Sequence, residues 1–319
     1  MSGVLKLSGW QYRAVILSIV ISALGYLGFS LWGGWQAVSN AVGMVGVLGT
    51  GIALLMSLLN YGLRFLRWQV YLRMMGHSIP WKSSLKIYLA GFALTTTPGK
   101  AGEAMRGVLL KPWGVPYAKS FAAFFSERLS DLFGVLLLTL FGLTLYPDAK
   151  AIVILGAALV AIGFLILSQR SLVERVIEFV AKYPGKISDI VRQLSKILLE
   201  AQCCHGLKVL GLATSLSVTA WTAEALAFYW ILGWMGADVP FAFAVFVYAV
   251  SMLAGALSFM PGGLGGAEAV MVSLLVWKGM PSADAVAATV VIRLATLWFA
   301  VALGAALIYK PVDSIKETG

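Results

Sequence analysis

Six predominantly apolar stretches limit what this chain can fold into, because each is long enough to cross about 30 Å of hydrocarbon at about 1.5 Å per residue. They run approximately over Ala14–Trp35, Ala41–Leu63, Tyr117–Leu145, Ala151–Leu167, Leu207–Met235 and Ala283–Tyr309. Backbone polar groups inside a bilayer must be satisfied within the protein, which at this segment length leaves helices. A β-barrel would instead show short alternating segments. Only 12% of the 319 residues are charged, about half the share of a soluble domain. The expected fold is an all-α polytopic membrane protein, one transmembrane domain over residues 1–319.

Two further apolar regions, Ser84–Lys111 and Phe241–Lys278, are split by "TTTPGKAGEAMR" (Thr95–Arg106) and "SFMPGGLGGAEAVM" (Ser258–Met271). Proline and glycine at those points stop a helix. Each region therefore reads as a broken helical hairpin, either re-entrant or made of two short spans.

Charge sets the orientation. Arg64–Lys86 carries five Lys/Arg and no acid, and Arg170–Lys196 carries six Lys/Arg partly balanced by acids. The alternate connections are poor in positive charge, so the basic segments and both termini are expected on the cytoplasmic side of the cell membrane. The net charge of +10 is thereby explained without nucleic acid, for which no basic patch on a soluble domain exists. Lys6 and Arg13 precede the first apolar run, which is too long for a signal core and lacks a small-residue cleavage site. It is expected to remain as the first span. Between Ser171 and Glu200, Ile187, Ile190, Val191, Leu194, Ile197 and Leu198 follow helical spacing, as an amphipathic helix at the inner membrane surface would. Cys203 and Cys204 sit in a polar loop before His205. A vicinal disulfide is strained and a metal would want more ligands, so they are expected to be structurally neutral, with lipidation the alternative.

The broken regions belong to a longer repetition. Glu103 and Glu268 lie 165 positions apart, as do Gly114 and Gly279, Pro116 and Pro281, and Arg128 and Arg293. Over Pro116–Val135 against Pro281–Ala300, seven of twenty positions are identical. Each unit reads as span, broken hairpin, span: repeat 1 over 41–145, a linking span with its cytoplasmic loop over 146–206, and repeat 2 over 207–309. One linking crossing inverts the second unit relative to the first. Inverted repeats with discontinuous helices are how transporters build a substrate site near the midplane.

Arg128 and Arg293 lie about 16 and 15 Å into their spans. A charge there costs at least about 2.5–3.5 kcal/mol unless it is paired, faces a cavity or serves function. Two readings stand side by side. Glu103 with Arg128 and Glu268 with Arg293 can be purely structural ion pairs tying hairpin to span. The arginines can also hold an anion, with Lys100 and the tip backbone at Gly99, Gly102, Gly262, Gly263 and Gly265 offering amides at helix starts. Glu127, Asp131 and Glu224 are further acids at this level, as ion partners or proton carriers, with Trp221 and Tyr229 beside them.

The segments "NYGLRFLRW" (Asn60–Trp68), "TTPGKAGEAMR" (Thr96–Arg106), "SERLSDL" (Ser126–Leu132), "PGGLGGAE" (Pro261–Glu268) and "IRLATLW" (Ile292–Trp298) resemble the lysylphosphatidylglycerol synthase transmembrane, or flippase-like, family. The resemblance implies a prokaryotic cytoplasmic-membrane protein that moves a lipid between leaflets, the lipid carrying an anionic headgroup or a polyprenyl phosphate. Members fused to an aminoacyl-transferase domain make the lipid they move. This chain stops at Gly319, just after its last span, so synthase activity is not expected. No nucleophile elbow, metal-ligand cluster or nucleotide loop stands out, so neither an enzyme nor a cofactor is expected. The alternatives are an intramembrane lipid-phosphate transferase, and a non-transporting partner of a membrane glycosyl- or aminoacyl-transferase.

Overall fold

A computed structural model of the chain describes residues 34–97, 101–143, 150–182, 185–258, 260 and 262–308, with isolated positions 20, 24, 25 and 28. The expected first span, Ala14–Trp35, lies almost wholly outside the described residues, as do Pro98, Gly99, Lys100 and Pro261. The described residues are helical. In chain order they form α1 (Trp35–Met74), α2 (Trp81–Ala90), α3 (Arg106–Leu110), α4 (Tyr117–Leu143), α5 (Lys150–Ser168) and α6 (Arg170–Ala181). There follow α7 (Lys186–Gln202), α8 (Leu207–Trp234), α9 (Phe241–Leu257), α10 (Gly266–Trp277), α11 (Ser282–Arg293) and α12 (Phe299–Ile308). Three helical stretches are by length and composition able to cross a membrane: Trp35–Met74, Leu207–Trp234 and Ser282–Leu307.

The first of these departs from expectation. The second apolar run is expected to end at Leu63, yet α1, kinked once at Gly46 (φ +63°), continues past Leu63 to Met74. Its buried positions include Ser57, Asn60, Tyr61, Arg64, Phe65, Arg67, Trp68, Tyr71 and Leu72. These recur at helical spacing and wrap much of the helix. Arg64 and Arg67, read from sequence as cytoplasmic loop charges, are therefore core residues. Their burial is made tolerable by a carboxylate supplied 67 and 64 residues later, by Asp131.

The two hairpins also differ from each other. In the second, α9 and α10 are both regular helices joined through Gly262, Gly263 and Gly265, whose φ values are +63°, +71° and +87°. That left-handed backbone favours glycine, and reverses the chain in few residues. In the first, α2 passes into a 3-10 turn (Gly91–Leu94), and the returning arm is a 3-10 turn (Ala101–Met105), the short α3 and a third 3-10 turn, Lys111–Trp113. Gly102 and Pro112 both fall where regular helix is interrupted there. Gly102 serves close approach: a Cβ on it would stand 2.5 Å from Leu94 Cβ and 2.7 Å from Leu94 O. The tips meet in the interior, since a Cβ on Gly262 would lie 3.5 Å from Thr96 Cα.

Between helices, close approach is bought by small residues, as it must be where lipid gives no hydrophobic drive to associate. α1 packs along α8, and α4 and α12 each lie against an arm of the other hairpin, α4 on α9 and α12 on α2 with its 3-10 extension. Gly142 of α4 faces Phe246 of α9, and Gly304 of α12 faces the backbone of Phe92 and Ala93. Each half thus clasps the other.

The amphipathic segment is α7, with α6 before it. Ile187, Ile190 and Leu194 are exposed, while Ser188, Ser195 and Ala201 pack inward. Ile187, Ile190 and Leu194 therefore point away from the protein, as on a helix resting on lipid, while Ile197 and Leu198 are partly buried against its core. At its end Cys203 is exposed, but Cys204 is buried, so this is not the polar loop expected from sequence. Both thiols are free, with sulfurs 3.9 Å apart. The hydrogen bond from Cys204 pulls the Cys203 thiol down to about 7, and the same contact together with burial pushes Cys204 far up. The thiolate is the nucleophile. Alkylation by a maleimide should therefore modify Cys203 alone, with a rate that climbs as pH rises through about 7. Peptide mapping that found Cys204 labelled equally fast would contradict this.

Candidate functional site

The interior holds a connected set of ion pairs at the level of the hairpin tips. Asp131 on α4 receives Arg67 at 2.8 Å, Arg64 at 3.0 Å and Arg128 at 3.1 Å. Trp221 Nε1 of α8 donates to it at 3.3 Å. The second amino group of Arg67 donates to Ser217 of α8. One carboxylate thereby ties α1, α4 and α8 together. Taking such groups out of water costs several kcal/mol per ion, on the order of what the attraction returns, so the arrangement is tolerable only because each charge is answered.

The hairpin glutamates are also answered, but not alike. Glu268, in the first turn of α10, accepts the Gly265 N–H at 2.7 Å with one oxygen and Arg293 Nε at 2.6 Å with the other. It caps its own helix and holds the arginine at once. Arg293 further donates to the Gly262 carbonyl at 3.0 Å. Glu103 accepts Thr95 Oγ1 at 2.9 Å and Arg106 at 2.7 Å, with Arg128 at 3.4 Å. Arg106 also holds Glu127, at 2.9 Å, and packs over the Tyr88 ring at 4.7 Å. The first hairpin's glutamate is thus shared by two arginines. Its nearer one, Arg106, is a residue that spacing did not single out.

Arg128 and Arg293 line one cavity of about 210 Å³. Asp131 and Trp221 add polar edges, and Leu132, Val135, Leu159, Leu257 and Met260 make the rest apolar. Gly262 and Gly263 lie on its wall; Gly102 and Gly265 do not line it. Arg128 keeps 18% of its side chain exposed, against 5% for Arg293, and its Nε has no hydrogen-bond partner. A second cavity of about 40 Å³ shares Arg293, Trp221 and Met252 with the first. It adds Arg64, Glu103, Glu224 and Tyr248, whose hydroxyl donates to Glu224 at 2.6 Å. Tyr229 stands apart, packed on Phe241 with ring centroids 5.4 Å apart. Immediately after Arg293 the helix widens into one π turn, Leu294–Trp298, an irregularity frequent at functional positions. The Thr296 carbonyl within it accepts the Tyr61 hydroxyl of α1.

Sequence spacing therefore finds Arg128, Glu103, Glu127 and Asp131 of one ion-pair network, the Arg293–Glu268 pair beside it, and Glu224, which accepts from Tyr248. It misses Arg64, Arg67 and Arg106. The signal for the first two was present: Asn60, Arg64 and Arg67 fall at i, i+4 and i+7, one face of a helix.

A set of apolar helices wrapped around buried ion pairs, opening on a lined cavity, defines a helical membrane protein with an intramembrane polar site. The chain belongs to the family of the lysylphosphatidylglycerol synthase TM region, whose model matches residues 15–304. It is similar to two UPF0104 membrane proteins of Methanothermobacter thermautotrophicus. One is 27% identical, covering 89% of this chain and 90% of the relative. The other is 24% identical, covering 96% and 98%. A UPF0104 membrane protein of Pyrococcus horikoshii is 23% identical over 92% of this chain and 96% of its own length.

Proposed function

We propose that this protein moves a phosphate-bearing lipid between the two leaflets of the cytoplasmic membrane. The observation that carries the reading is the shared cavity, in which Arg128 and Arg293 face one space from the two hairpin-bearing halves. A phosphate entering hydrocarbon unaccompanied loses its hydration at severe cost, and fixed guanidinium groups with planar donor forks offset that loss. The apolar walls suit the first methylenes of the acyl chains, which stay toward the bilayer. In this reading the chain performs no covalent step and takes no cofactor, and the lipid is its partner.

The halves are read as inverted repeats. Two observations support this: each hairpin glutamate contacts the arginine 25 positions later, and each half's last helix lies on the other's hairpin. Termini, the α1–α2 turn and α7 are then cytoplasmic. A cysteine at Ser78, in a Cys203→Ser background, is expected to resist an impermeant thiol reagent added to intact cells, while one at Asp238 reacts.

The direct test is reconstitution. The purified chain in liposomes should render an outer-leaflet dithionite reagent able to quench nearly all of a fluorescent phosphatidylglycerol rather than about half, the share that starts in the outer leaflet of a closed bilayer. Quenching that stays at the protein-free level would defeat the reading.

A further inference from the structure

The two hairpins carry the same glutamate–arginine pair, yet only the first surrounds it with a second pair. The positions 165 residues on from Arg106 and Glu127 are Met271 and Ile292, so the second half has apolar side chains where the first has ions. The geometry changes accordingly. Without a competing cation, Arg293 closes on Glu268 at 2.6 Å and is buried to 5% exposure. With Arg106 bound to Glu103 at 2.7 Å, Arg128 stands at 3.4 Å and 18% exposure, facing the cavity.

We infer that the Arg106–Glu127 pair is a positioning lock that holds Glu103 away from Arg128, making Arg128 the arginine that first receives the lipid phosphate. The inference rests on the lipid-carrying function proposed above and assigns its two arginines unequal roles. Arg106 is well built for the task. Its Nη2 and Nη1 reach two different carboxylates, its Nε donates to the Glu103 carbonyl at 3.1 Å, and Tyr88 lies under it. Thr95 holds the other Glu103 oxygen at 2.9 Å. Gly91 leaves the space Arg106 fills, since a Cβ there would lie 2.7 Å from its Cγ. Glu127 keeps Arg106 from being a lone excess cation, so the lock adds no net charge. Arg128 is held by longer contacts, 3.1 Å to Asp131 and 3.4 Å to Glu103, so it can offer its fork to a phosphate without first breaking a 2.6 Å ion pair. Arg293 must break one, and so takes the phosphate only after Glu268 lets go.

The decisive variant rebuilds the second half's arrangement in the first: Arg106→Met with Glu127→Ile. Both ions leave together, so no buried charge is stranded. Glu103 should then close on Arg128 as Glu268 does on Arg293. Binding of dihexanoyl phosphatidylglycerol to the purified protein in detergent is expected to weaken about tenfold, a coupling of the size found between directly contacting charged groups. Adding Glu103→Gln to the double variant should restore parental affinity, because the carboxylate that captures Arg128 is gone. A role in structure alone would not give that rescue. Arg106→Lys, a milder change that keeps the charge but not the two-carboxylate fork, should weaken binding to a smaller degree. Parental affinity in the double variant, no recovery on adding Glu103→Gln, or, should the double variant not fold, unchanged affinity in Arg106→Lys, overturns the lock. Absence of binding by the parent chain removes the proposed function along with it, whereas parental binding that the variants share removes only the lock.

Discussion

Asp131→Asn is expected to destabilise this protein more than any other isosteric change in its interior, by about 3–5 kcal/mol, the range for stranding one side of a buried ion pair. The side chain keeps its shape and one acceptor oxygen but loses the charge that answers Arg64, Arg67 and Arg128. Arg64 and Arg67 are 6% and 0% exposed, so water cannot replace the carboxylate. Their guanidiniums remain charged in any accessible condition. The loss would show as a fall in the thermal transition in detergent and in monodisperse yield. The exposed Arg170–Glu174 pair, at 2.8 Å, gives the contrast. Solvent screens it on both sides, and Glu174→Gln should shift stability by no more than about 0.5 kcal/mol. If the two variants unfold at the same temperature, the interior network is not what joins α1, α4 and α8.

That network also marks where the sequence stops being readable. The helix breaks in the two hairpins and the contact of each glutamate with the arginine 25 positions later are local or periodic properties, and they were legible. Arg64 and Arg67 share a helix face with Asn60, but their burial was not legible. They follow a long apolar run and precede Arg73, Lys82 and Lys86, so a count of positive charge by neighbourhood assigns them to the loop. Their burial depends on Asp131, which no local property of α1 announces. Arg106 is hidden for a similar reason: its two carboxylates come one from its own turn and one from α4. The uneven hairpins were illegible as well, because the tips share their glycines and acids while Pro112, just past α3, has Trp277 as its counterpart. The extra residue of the π turn after Arg293 has no sequence mark of its own. What the cavity is lined by is a tertiary fact, since Trp221, Met252 and Leu159 come from three separate helices.

The largest functional effect is expected at Arg128. Arg128→Gln should lower lipid transfer in proteoliposomes by about ten- to a hundredfold, the worth of one charge-assisted hydrogen-bonding group at a desolvated anion. Its stability cost should be small, because Asp131 keeps Arg64 and Arg67, and Glu103 keeps Arg106. Function and folding therefore separate at this position. At Arg293 they do not: Arg293→Gln alone leaves Glu268 buried at 3% exposure beside its own helix start. The fair comparison there is Arg293→Gln with Glu268→Gln, which removes both charges and retains an amide able to accept from the Gly265 N–H. That pair should slow transfer while sparing the thermal transition, and combining it with Arg128→Gln should bring transfer to the level of empty liposomes. Lysine at position 128 should recover only part of the rate, since it supplies the charge without the planar fork. The opposite pattern, with all of these proteins folded and transferring lipid as the parent does, would make both arginines structural ties between hairpin and span and leave the cavity without a phosphate to hold.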